Sequence, residues 1–258
     1  MIVVINYSIK RLNEVNLNTY GTAMRIIKYN NAHDIMVEFD DEYKFKVKTT
    51  YSSFSRGEVK NPYDKTVFGV GYYGNGKYVS KVDGKHTLAY KKWRAMIVRC
   101  YSEKYIFEHP TYKDCTVCNE WHNFQNFAEW FENNYYEIPG EIMDLDKDIL
   151  VEGNKVYSPD TCVIIPQFLN KIFNHTKNKK SGLPLGVKKN SVNRYTAYCS
   201  QGRGNEIFCG TYNTPEDAFY LGYLPMKKKL AKEKIDSYKE YLPQKLYDRL
   251  INYEIKMH

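Results

Sequence analysis

Six cysteines, at positions 100, 115, 118, 162, 199 and 209, give this 258-residue chain much of its chemical scope. In a reducing compartment such thiols are either buried or act as metal ligands, because disulfides do not persist there. Cys115-x-x-Cys118 has zinc-knuckle spacing, but no second Cys-x-x-Cys follows, so spacing alone does not build a four-ligand site. A second pattern, Gly69-x-Gly71-x-x-Gly74-x-Gly76, superficially has the glycine spacing of a phosphate loop. No apolar strand precedes it and no helix follows at once, so the dinucleotide reading fails and a turn in a Gly-rich hairpin is expected. Lys227-Lys228-Lys229 could contact phosphate, although such runs more commonly form a solvated helix face. His122 and His175 read as ordinary surface histidines.

The elements that must position these groups are legible in part. Residues 1–66 read as β: 23–29 runs into the Asn30-Asn31 turn, and 34–39 and 43–49 alternate around Asp40-Asp41-Glu42. This is a small β-barrel or meander. Residues 67–175 are mixed. A helix over 88–101 carries Trp93, Met96 and Ile97 on one face, and another over 124–135 carries Phe127, Trp130 and Phe131. That aromatic stripe is a core stripe. Residues 176–258 follow a polar boundary at 174–181 with three short strands, 185–188, 194–199 and 207–212. Thr214 then reads as an N-cap with Pro215 at the first helical position and acids in the first turn. That helix runs through 227–234 with a break near Pro225, and a last helix follows Pro243. The class is α+β in three modules.

Charge is unevenly spread along these modules. The chain is +8 overall; residues 176–258 hold 16 Lys/Arg against 8 Asp/Glu, and residues 1–175 hold 22 of each. The whole excess sits in the last third, which points to an anionic partner for one module. With 43% hydrophobic and 16% aromatic residues, disordered and collagen-like classes are excluded. The opening apolar run, 2–5, is far too short for a signal peptide or membrane span, so a soluble cytoplasmic protein with no membrane partner is expected. Twenty-five tyrosines, each with an apolar face and a polar tip, suit a binding surface.

Over about 50 residues the last module resembles the ethylene-response-factor type of DNA-binding domain. The resemblance rests on Gly186-Val187, Arg194-Tyr195-Thr196-Ala197, Phe208-Cys209-Gly210-Thr211-Tyr212 and Thr214-Pro215-Glu216-Asp217-Ala218. It implies a three-stranded sheet that enters the major groove of double-stranded DNA, a geometry the groove permits. Lys188, Lys189, Arg194, Tyr198 and Arg203 are then expected on the DNA-facing side, with Ala197 against the helix.

Residues 93–172 resemble phage HNH-like (His-Me finger) homing endonucleases. The matching residues are Trp93, Arg99-Cys100, Tyr112, Val117-Cys118, Trp121, Phe124, Leu145-Asp146-Lys147-Asp148, Tyr157-Ser158-Pro159-Asp160-Thr161-Cys162 and Asn170. The resemblance implies a treble-clef-like module in which Asp146 holds a single Mg²⁺ for phosphodiester cleavage. The position of the general-base histidine is occupied by Lys147, which is protonated near neutral pH and suits a phosphate clamp better than a base. Asp146, Lys147 and Asp148 are the catalytic candidates, in a degenerate site whose base is unidentified. The same resemblance points to Cys100, Cys118 and Cys162, with His109, as ligands of a structural Zn²⁺; buried thiols are the alternative. The functional expectation is a DNA-binding protein of homing-endonuclease type, active or inactive. A phage protein that grips a host protein through its tyrosine-rich surface is the alternative.

Overall fold

The computed structural model describes residues 7–173, 182–202 and 204–254. The expected boundary at 174–181, together with His175 and Arg203, lies outside the described residues. Helices make up 36% and strands 25%, the strands divided among several small sheets, so the class is α+β. The chain divides into two compact units, Met1–Glu132 and Asn133–His258. Among the described residues no helix is long and apolar enough to cross a membrane.

The first unit opens with an antiparallel meander whose strands pair in chain order: Val15–Leu17, Ala23–Asn31, Asp34–Phe39 and Lys46–Thr49. Alternation buries Met24, Ile26, Ile35, Val37 and Phe39 on one face, where Phe54 and Val59 complete the core. The last strand starts at Lys46, later than its hydrophobic pattern begins. The reason is local: Asp41 Oδ1 accepts the backbone N–H groups of Tyr43 and Lys44, both at 3.0 Å, and holds them in the turn.

The helix Leu88–Tyr101 follows its periodicity, burying Tyr90, Trp93, Met96, Ile97 and Cys100, with Thr87 accepting the Tyr90 N–H as its N-cap. Trp93 meets Phe124 of the helix Phe124–Asn134 at 5.4 Å between ring centroids, and its Nε1–H donates to the Trp121 carbonyl at 2.7 Å. The glycine-rich segment makes a tight turn, Val67 bridging Gly71, and then lies against the start of that second helix. Gln125 donates to the carbonyls of Tyr73 and Tyr78 and accepts the Tyr78 N–H. A Cβ on Gly74 would stand 2.1 Å from the Asn123 side-chain oxygen, and one on Gly76 2.4 Å from that of Gln125. Gly74 and Gly76 therefore admit two amide side chains to the backbone, and Gly71 lies against the Trp93 ring.

The second unit contains an antiparallel hairpin, Met143–Asp146 with Val163–Pro166, followed by the helix Gln167–Phe173. Then comes a three-stranded antiparallel sheet, Val187–Lys189, Tyr195–Gly202 and Asn205–Tyr212, again in chain order. Thr214 caps as its sequence implies, accepting the Asp217 N–H at 3.0 Å. The helical run that follows changes pitch: Pro215–Asp217 is α, Ala218–Tyr223 is π, and Leu224–Ser237 is α. Pro225 lacks an N–H and its ring crowds the carbonyl four residues back, and the wider turn before it accommodates both. A last helix, Gln244–Ile251, follows Pro243.

The core under the sheet is Val187, Ala197 and Cys199 against Ala218, Phe219 and Tyr223. Close approach is enforced by glycine. A Cβ on Gly222 would lie 2.7 Å from the Ala197 methyl, and Gly186, at φ +75°, has the Tyr223 ring where its own Cβ would be. The long helix and the last helix also reach the hairpin side of this unit. Lys234 Nζ stands 3.6 Å from Glu141, Tyr238 donates its hydroxyl to the same carboxylate, and Arg249 Nε donates to the Ile149 carbonyl at 2.8 Å.

Candidate nucleic-acid interface

Cross-strand register determines which side chains share the outer face of the sheet 187–212. Lys188 stands opposite Thr196, Thr196 opposite Thr211, and Tyr198 opposite Phe208, while Val187 and Ala197 point to the helix. Lys188 spans the face: its Nζ lies 4.7 Å from the Tyr198 ring centroid and 2.7 Å from Glu206. Tyr198 meets Phe208 edge to face at 5.9 Å, and Phe208 is 60% exposed, an unusual position for a phenylalanine. Arg194, at the mouth of the preceding turn, donates to the Thr211 carbonyl at 3.1 Å and leaves the rest of its fork to solvent. The result is a slab with aromatic, hydroxyl and cationic groups on one side and a helix on the other.

Three of the five expected interface residues, Lys188, Arg194 and Tyr198, are brought together on this face; Arg203 lies outside the described residues. Lys189 does not join them. It is adjacent to Lys188, so strand alternation turns it the other way, 5.9 Å over the Tyr195 ring, which packs on the helix side. Phe208 and Glu206 were not anticipated. Their signal was the register, since Phe208 faces Tyr198 and Glu206 faces Ser200 across the strand pair.

The Asp146 segment is built differently from a strand-borne metal site. The strand ends at Asp146, and its Oδ1 accepts the N–H groups of Asp148 at 2.9 Å and Ile149 at 2.7 Å, closing a turn. Asp148 thus sits in the turn, half-exposed, with the Lys147 ammonium at 3.1 Å. Lys147 is itself buried, and its Nζ lies 5.9 Å over the Tyr157 ring. Asn154 staples the far side of the loop, donating to the carbonyls of Lys147 and Val156. Burial, and then the neighbouring Asp148 charge, push the Asp146 carboxyl up to about 6, against the pull of the two N–H donors. Asp146 is therefore a turn-forming residue, and Lys147 neutralises Asp148.

This donor set does not suit a divalent cation, since an ammonium already occupies the space beside Asp148 and one Asp146 oxygen is spent on backbone. Among the described residues no group of three or more His, Cys, Asp or Glu side chains is arranged to hold a metal. The expected zinc ligands follow the same pattern. Cys100 and Cys162 are buried and Cys118 is half-buried, its thiol pushed up first by that burial. His109 is exposed, its ring 4.4 Å from that of Tyr105. His122 is half-buried, and its depressed pKa follows first from that burial, a departure from the surface histidine expected. Comparison with family models, curated proteins and solved structures finds no match to this chain, so the reading of this surface rests on its own chemistry.

Proposed function

We propose that the chain binds double-stranded DNA through the outer face of the sheet 187–212, inserting it into the major groove. The observation that carries this reading is the grouping of Lys188, Arg194, Tyr198 and Phe208 on one exposed face with the helix on the other. A sheet of three short strands fits a groove about 12 Å wide, and its side chains then stand against base edges. Cations and hydroxyls suit phosphates and base acceptors, and Phe208 suits the thymine methyl. The +8 balance of residues 176–258 favours the same partner, as does the resemblance to ethylene-response-factor domains.

Fluorescence anisotropy with labelled duplex tests this. Affinity should fall steeply with salt, and Arg194→Ala or Phe208→Ala should weaken binding by about tenfold, near 1.4 kcal/mol. Salt-independent binding, or variants that bind as the parent does, would overturn it.

The reading is of binding, without an assigned cleavage step. The role of Asp146 in its turn favours this over hydrolysis, despite the resemblance to His-Me finger endonucleases. Plasmid incubated with Mg²⁺ should remain supercoiled. Nicking that disappears in Asp146→Asn would show the hydrolytic reading to be the better one.

A further inference from the structure

The first unit carries a pocket of about 480 Å³ with an unusual lining, in which Tyr20, Tyr43, Tyr63 and Tyr72 stand beside Asp41, Glu42 and Asp64. The rings are ordered by one another. Tyr43 and Tyr63 stack at 3.8 Å and 3°, and Tyr72 is tilted 52° to both at 6.0 Å, its hydroxyl 3.0 Å from that of Tyr43. Tyr20 is 62% exposed at the rim.

None of the three carboxylates forms a close ion pair among the described residues, although the Lys44 charge lies near Asp41. Asp64 is buried, yet its oxygens accept only from neutral donors, Asn18 Nδ2 at 2.7 Å and Thr22 Oγ1 at 2.5 Å. Asp41 accepts from Asn61 Nδ2 at 2.6 Å, and the nearby Lys44 pairs with Asp40 instead. Lys65 is the one base in the pocket lining among the described residues. The Asn18 and Thr22 donors offset part of what burial costs the Asp64 charge, and a cation in the pocket would add to that. The hydrogen bond to Tyr72, and then burial, hold the Tyr43 phenol well above its ordinary value.

The pocket does not end there. Tyr20 and Asp64 also line an adjoining groove of about 1060 Å³, walled by Phe45, Phe68 and Tyr90, with Arg94 in its lining. A groove of this extent is too large for one side chain and suits several residues of extended chain.

We infer that this surface binds an extended protein segment, with an arginine side chain of that segment in the tyrosine and carboxylate pocket. A guanidinium fits the two demands together: it is planar, so it lies on a tyrosine face, and its fork pairs with carboxylates. Lysine satisfies the charge alone. The approximate neutrality of residues 1–175 and the acidity of this pocket argue against a nucleic acid here. This site is independent of the DNA-binding sheet and does not rest on that reading.

The test is titration of the whole protein with a blocked pentapeptide, Ala-Ala-Arg-Ala-Ala, by calorimetry or tyrosine fluorescence. Saturable binding is expected with a Kd of about 0.1–1 mM, weakened about tenfold or more when the arginine is replaced by its uncharged isostere citrulline. Tyr20→Ala and Glu42→Gln, both at exposed positions, should each weaken it about fivefold. The proposal fails if no saturation appears by about 10 mM peptide, if citrulline serves equally, or if both variants bind as the parent does. Free arginine amide binding as tightly as the peptide would mark a small-cation site and overturn the segment reading. A short duplex that displaces the peptide would overturn it too. Should a variant fail to fold, the arginine and citrulline comparison on the parent protein still decides.

Discussion

Glu206 sits where a DNA-reading face would least want a carboxylate, and it holds Lys188 by a 2.7 Å ion pair. Both partners are exposed, so the pair itself adds little stability. Its effect falls on binding: phosphate must displace Glu206 before it gains Lys188. Glu206→Gln should therefore tighten duplex binding by about three- to tenfold, near 1 kcal/mol, with little change in Tm. An unchanged or weakened affinity would show that Lys188 does not face the duplex. Asp146 gives a second prediction at this scale. Asp146→Ala strands the N–H groups of Asp148 and Ile149 and should cost about 1–3 kcal/mol. Asp146→Asn keeps the acceptor and removes a buried charge, so near neutral pH it should match or exceed the parent in thermal unfolding. The folded carboxyl titrates near 6, above its ordinary 3.8, so its contribution is present at low pH and is lost as pH rises through 6. The advantage of the asparagine variant should appear over that interval and be absent below about pH 4. His122 works in the opposite direction. Its folded pKa is depressed below 6.5, so the stability it supports is present above 6.5 and is lost as pH falls. His122→Gln should flatten that acid limb in a Tm-against-pH series.

Among the elements, close contact between helix and sheet is the feature most exposed to test. Gly222 has the Ala197 methyl, the Tyr212 ring and the Cys209 carbonyl all under 3.0 Å from where a Cβ would go. Gly222→Ala should destabilise the second unit by about 1–3 kcal/mol through overpacking. Combining it with Ala197→Gly should restore only part of the loss, because Tyr212 and the carbonyl remain. Elements carried by local pattern were legible from sequence: the Leu88–Tyr101 helix from its apolar spacing, and the Thr214 cap from a threonine before proline and two acids. Ala197 is placed against the helix by the resemblance to ethylene-response-factor domains, and it packs there. What was not legible depends on partners distant in the chain. Gly74 and Gly76 make sense only with Asn123 and Gln125 in view, some fifty residues on, and Gly71 only with Trp93. The Asp146 turn was hidden because an aspartate ending a strand and one holding a metal look alike in sequence. The tyrosine pocket joins residues 20, 43, 63 and 72 through tertiary packing that no periodicity announces.

On the scale of the whole molecule, the sequence charge asymmetry and the two compact units are complementary facts. The sheet 187–212 and the Asp146 turn lie in the same unit, 133–258, although the sequence puts a polar stretch between them. Their connection is physical. Glycine-tight packing fixes the sheet to the helical run, Glu141 holds the end of that run through Lys234 and Tyr238, and the Ile149 carbonyl accepts from Arg249 of the last helix. These contacts link the sheet to the turn through space as well as along the chain. A duplex that twists the sheet will be felt at the turn, through helix and hydrogen bonds, whatever the length of chain in between. Hydrogen exchange at the Ile149 amide, held by Asp146 and distant in sequence from the sheet, should slow when DNA is bound.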